Sequence, residues 1–207
     1  MTNQDQIQYI QSLLNNFYPQ YYAMGVAGDE TSSAGVPTEM QAGEIDDEGW
    51  VQWKILPPRI TMDDVLELEA SFKIVLPDLF RAYLMAACHL FDQVQSQKYD
   101  QLIFMTDVPS NNPLGPIKGI LTGWQSLIGA GYIPFAQWGD GWGPMCFDDQ
   151  QRTDGDCPIV WMDHELLIPM GPEKCSERIH VTPLAQPLYA SSKEFLDDVF
   201  RLNGDEA

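Results

Sequence analysis

Apolar residues recur at three- and four-residue steps near the start of the chain, at Ile7, Ile10, Leu13, Leu14, Phe17 and Tyr21. That spacing predicts an amphipathic helix within residues 4–24, kinked or ended by Pro19. The following stretch, "GVAGDETSSAGVPTEMQAGEIDDEGW", is rich in Gly, Ser and acids and shows almost no periodicity. It reads as a long acidic connector. Helical spacing returns at residue 61. Thr61 is a good N-cap, Asp63 and Asp64 suit the positive end of a helix, and Val65, Leu66 and Leu68 carry a first helix to about Phe72. Pro77 suits the first turn of a second helix, with Leu79, Phe80, Tyr83, Leu84, Ala87 and Leu90 or Phe91 on its apolar face.

Beyond residue 98 the pattern shortens. "QLIFM" (101–105), "YIPFAQW" (132–138), "PMCFD" (144–148), "PIVWM" (158–162) and "ELLIP" (165–169) are expected strands, separated by Gly, Asn, Asp and Pro clusters. A short helix is expected within "GILTGWQSLIGAG". "SSKEFLDDVFRLN" predicts a closing helix capped by Ser191 or Ser192, with Phe195, Leu196, Val199 and Phe200 inward. Helices at both ends of a run of strands argue for an α+β fold. The sheet is expected to be mainly antiparallel with helices packed against it, in a single domain with an N-terminal helical extension. The expected division is 1–49 for the helix and acidic connector and 50–207 for the α+β domain.

Composition adds a core and a compartment. Of the 207 residues 44% are hydrophobic and 11% aromatic, ample for a globular interior. No apolar run approaches the ~18 residues that span a bilayer. "MTNQDQIQYIQ" lacks the basic and apolar regions of a signal peptide, so a cytoplasmic location is expected. Cys88, Cys146, Cys157 and Cys175 form no CxxC pair; Cys88 and Cys146 sit among apolar residues, as small buried hydrophobes do.

Charge changes the picture most. The net charge is −19. Eight acids precede Lys54, the first base, and seven more lie between Asp140 and Glu165 against Arg152 alone. Such a surface repels nucleic acid and anionic lipid and can steer association with a basic protein; it also keeps a protein soluble.

Candidate chemistry concentrates in "GDGWG" (139–143). A phosphate loop needs a helix after its glycines and usually a Lys; here Pro144 and a strand-like run follow. The loop reads as a hairpin turn, with Trp138 and Trp142 along one edge. "DDQQRTDGD" fails as an EF-hand because Arg152 falls on a ligand position and Trp161 on the twelfth. A looser calcium site from Asp148, Asp149, Asp154 and Asp156 remains as an alternative. "HELLI" has Ile168 where a zinc protease needs its second His, and no G-x-S-x-G elbow occurs. His164, between Asp163 and Glu165, is the best general-base candidate, although a surface histidine explains it as well. No catalytic residue, cofactor or metal is expected.

One ordered set of blocks carries a resemblance: "WKILPPRITMDDVLELEASFKIVLPDLFRAYL", "YIPFAQWGDGWGPMCFD", "CPIVWMDHE" and "LYASSKEFLDDVF". Over roughly residues 50–203 these resemble the SUKH superfamily, which includes bacterial immunity proteins of polymorphic toxin systems and yeast regulators of cell-wall glucan synthesis. The resemblance implies helices packed on a central antiparallel sheet and no catalytic apparatus. It places pattern residues at Trp53, Glu69, Leu76, Pro77, Gly139, Gly141, Asp163, Ser191 and Phe195, most of them architectural. The acidic segment 24–49 and an insertion near 109–130 depart from the minimal pattern. The implied function is non-enzymatic binding and neutralisation of a cognate toxin domain, basic and nuclease-like; the alternative is an intracellular scaffold or regulator without a toxin partner. The expected partner surface is Asp46, Asp47, Glu48, Asp140, Asp148, Asp149, Asp154 and Asp156 around exposed Trp138 and Trp142, on a monomer or weak homodimer. The competing reading is that both tryptophans are core or turn packing.

Overall fold

The structure is a computed structural model in which residues 2–28, 35–139 and 141–201 are described. Helix α1 (Asn3–Phe17) opens with a reciprocal capping box between Thr2 and Asp5 and buries Ile10 and Leu14. A single 3₁₀ turn (Tyr18–Gln20) carries Pro19 where the helix stops. Strands β1 (Met24–Val26), β2 (Gln41–Ala42) and β3 (Trp50–Trp53) follow, and β3 pairs antiparallel with both of the others. The stretch read as a connector therefore supplies two strands of a small sheet. Two- and three-residue strands are too short to display a period of two, which is why the sequence pattern hid them. β3 itself alternates: Trp50 and Gln52 face out while Val51 and Trp53 are buried.

Helix α2 (Met62–Phe72) is capped by the predicted Thr61, whose hydroxyl and the Asp64 carboxylate close a second capping box. Lys73 ends it in the left-handed region at φ 56°. Pro77 then sits at the N-cap of α3 (Asp78–Ala86), one residue earlier than the first-turn position expected, and the helix stops short of Leu90 and Phe91 because the backbone turns extended at Ala87 and Cys88 bridges Leu56. The turn between the helices is held by Glu69, which is buried, accepts the Leu76 N–H at 2.6 Å and receives Arg81 through two bonds of 2.8 and 2.9 Å.

Six strands form the main sheet in sequence order, each antiparallel to the next. They are β4 (Gln93–Ser96), β5 (Gln101–Phe104), β6 (Tyr132–Trp138), β7 (Gly143–Asp148), β8 (Ile159–Trp161) and β9 (Gln186–Tyr189). The insertion between β5 and β6 holds α4 (Gly115–Gly123) and α5 (Gln125–Gly129). After β8 come α6 (His164–Leu167), α7 (Gly171–Cys175) and α8 (Arg178–Val181), and α9 (Ser192–Val199) closes the chain under a Ser191 cap. Residues 165–169 are thus helical and 3₁₀, not a strand. The Asp163 side chain accepts the Glu165 N–H and starts a helical turn there, a local capping signal that outweighs the apolar run.

The sheet is covered on both faces. Alternate residues Ile133, Phe135, Met145, Phe147 and Ile159 enter a core shared with α1, α3 and α9, where the Phe135 and Phe147 rings stack at 4.0 Å. Tyr132, Cys146 and Val160 point the other way, into a smaller core with Leu167, Cys175 and Val181 from α6–α8. Two-sided cover explains why β7 is buried at every residue. Helix α1 and the small sheet contribute to the larger core through Ile10, Leu14, Met40, Val51 and Trp53.

Candidate partner-binding face

The residues singled out from the sequence fall into three places. The β6–β7 hairpin turns at Gly139 (φ 61°) and Gly141 (φ 80°), as its glycines predict. Gly143 is constrained differently: a Cβ there would lie 1.9 Å from the Met162 carbonyl oxygen, so only glycine lets the two backbones approach. Trp142 is 53% exposed at this turn. Trp138, expected to be exposed, is only 6% so. It packs against Tyr99 and Trp161, because the end of β6 is flanked by strands on both sides. Asp140 lies outside the described residues.

Asp148 stands at the opposite end of the hairpin, paired in register with Tyr132, whereas Gly143 pairs with Trp138. Five strand steps separate Gly143 from Asp148, roughly 17 Å. Asp148 is 1% exposed and does not belong to a surface. Its Oδ2 accepts Arg178 Nη2 and Gln151 Nε2, each at 2.7 Å, and the Arg178 guanidinium lies 4.5 Å from the centre of the Tyr132 ring. Asp149 is half-buried against Arg152, and Asp156 accepts the Ser192 N–H and hydroxyl at the start of α9. Among these acids only Asp154 is exposed and without such a commitment. The looser calcium site dissolves accordingly: three of its four carboxylates hold the chain together, and among the described residues no group of His, Cys, Asp and Glu is arranged to hold a metal.

His164 shows the surface behaviour expected of it. Its Nδ1 donates to the Trp142 carbonyl at 2.8 Å, tying α6 to the hairpin turn. All four cysteines are free and buried, and burial pushes the Cys157 thiol up to about 12.

Asp46, Asp47 and Glu48 occupy the exposed turn between β2 and β3. Asp46 shapes that turn by accepting the Glu48 and Trp50 N–H groups at 3.0 and 2.8 Å. This sets the acids directly beside Trp50, which is 39% exposed and pairs with exposed Val26 on β1. Tyr22, at 79% exposure, lies two residues before β1, and exposed Ile45 lies on the β2–β3 turn.

Next to them opens a pocket of about 560 Å³, lined by Tyr22, Val26, Trp50 and Leu90, with Asp92 and Asp107 as its charged groups. The Tyr21 hydroxyl donates to Asp92 Oδ1 at 3.2 Å. Burial and the neighbouring Asp92 charge push Asp107 up to about 7. Behind the pocket His89 is fully buried against Tyr83 and Phe91, its Nε2 has no hydrogen-bond partner, and burial lowers its pKa to about 3. Sequence reasoning found the turn but missed Asp92 and Asp107. The one available signal was two isolated acids, in "LFDQV" and "MTDVP", each bordering a run with strand character.

Comparison of the chain with protein-family models and with curated proteins returns no match.

Proposed function

We propose that this chain is a non-catalytic binding protein that captures a basic protein partner in the cytoplasm and neutralises it, as immunity proteins of the SUKH type do for their toxins. One observation carries the reading: the exposed aromatic face of the small sheet borders a pocket whose charged lining groups are both carboxylates, beside a turn of three further acids. Aromatic anchors ringed by charge of one sign suit a partner of the opposite sign. The net charge of −19 supports the same direction, since it draws a basic domain in from a distance and disfavours nucleic acid itself.

The test is co-expression with the C-terminal domain encoded by the adjacent upstream gene, scored for survival and co-purification. Neutralisation predicts rescue of growth and a stable complex. Reversing Asp47 and Glu48 to Lys should slow association by roughly tenfold at low salt, with little change in folding. A neighbour that is harmless, or toxic yet neither bound nor neutralised, would remove the immunity reading.

A further inference from the structure

We infer that the pocket between β1, β3 and the start of β4 is the receptor for a single arginine side chain of the partner, its guanidinium seated on Trp50 and Tyr22 and held by Asp107 and Asp92. The inference deepens the binding role proposed above and rests on it for the identity of the partner, but not for the chemistry of the pocket.

Three observations lead to the guanidinium. The pocket is walled by aromatic and aliphatic groups, which favour a flat, weakly hydrated cation over a compact, strongly hydrated ammonium. Its charged lining is acidic: among the described residues Asp92 and Asp107 line it and no basic side chain does. Among the described residues the Asp107 carboxylate meets no Lys or Arg within ion-pair distance, whereas Asp148 and Glu69, the buried acids of the core, each have an arginine.

Guanidinium binding would be linked to protons. Burial and the Asp92 charge raise Asp107 to about 7, which favours its protonated form, and the cation selects the ionised form. The groups facing Asp107 are Asp92, the tyrosines Tyr21, Tyr22 and Tyr83, and His89 behind them. Tyr21 and Tyr83 are pushed above their usual range by burial and nearby acids, and His89 stays neutral through the physiological window. Asp107 therefore dominates the response between pH 6 and 8. One proton released at about 7 lowers affinity about tenfold between pH 8 and pH 6.

The experiment titrates the full chain with N-acetyl-arginine methylamide, and separately with the citrulline analogue, which keeps the shape and loses the charge. The readout is the indole N–H resonances of Trp50 and Trp53. The expected result is a saturable shift of Trp50 by the arginine compound and not by citrulline. Affinity should fall about tenfold from pH 8 to pH 6, and Asp107→Asn, verified as folded by its thermal melt, should weaken binding at pH 8 at least tenfold and flatten the pH profile. Equal shifts by citrulline, no saturable shift at Trp50, or an unchanged affinity in Asp107→Asn would overturn the inference. Because the titration needs no partner, its failure is separable from that of the binding role. A complex that forms with the toxic domain and ignores Asp107→Asn would leave the role standing and remove the pocket from it.

Discussion

Three buried or half-buried acids show how one residue type serves different ends. Glu69 sits at the close of α2 with its carboxylate turned onto a backbone N–H and a two-pronged arginine, so its charge is matched on both oxygens. Removing only one partner of such a pair strands a charge in a low-dielectric interior. Glu69→Ala should therefore cost about 3–5 kcal/mol in chemical unfolding, and replacing Arg81 as well should add much less than a second such loss. Asp148 has one oxygen matched by Arg178 and Gln151 and the other buried without a partner. Asp107 forms no ion pair with a Lys or Arg among the described residues, and burial together with the Asp92 charge raises its pKa. The first two acids hold the fold.

At the scale of elements, α8 is fixed by Arg178 alongside the packing of its buried Val181. It is four residues long, too short to persist by its own hydrogen bonds, and Arg178 at its first position reaches Asp148 and the Ala130 carbonyl. Asp148→Asn should loosen α7 and α8 first. Amide exchange there should rise by at least tenfold while α2 and α3 keep their protection, and uniform exchange across the chain would contradict this. The same scale shows what sequence could convey. Helices α1, α2, α3 and α9 were legible because each offers several turns of apolar spacing and a Ser, Thr or Pro at its start. Strands β5 to β8 were legible because turn residues bracket them. β1 and β2 were not, since their pairing with β3 depends on residues up to tens of positions away. β4 and β9 escaped because Gln93 and Gln95 in one and Gln186 and Pro187 in the other dilute the apolar signal of an edge strand. The candidate face was half legible. Charge density marked the turn at Asp46–Glu48, while the Asp92–Asp107 pocket exists only once β1, β3 and the start of β4 meet. Asp148, Asp149 and Asp156 misled for the converse reason, because composition does not distinguish an acid at the surface from one holding an arginine or a cap.

For the whole molecule, the two-sided cover of the main sheet has a consequence for how the protein opens. Each core contains two free thiols: Cys88 and Cys157 lie in the larger, Cys146 and Cys175 in the smaller. They are at most 5% exposed, and burial raises the pKa of all four, so a thiol reagent can reach them only through an opening of the layer around them. The chain thus carries a two-channel clock for its own breathing, written in sulfur. Pulsed alkylation in mild denaturant, read by mass spectrometry, should modify Cys146 and Cys175 before Cys88 and Cys157 if α6–α8 lift from the sheet as a unit, and all four together if the two layers share one fate.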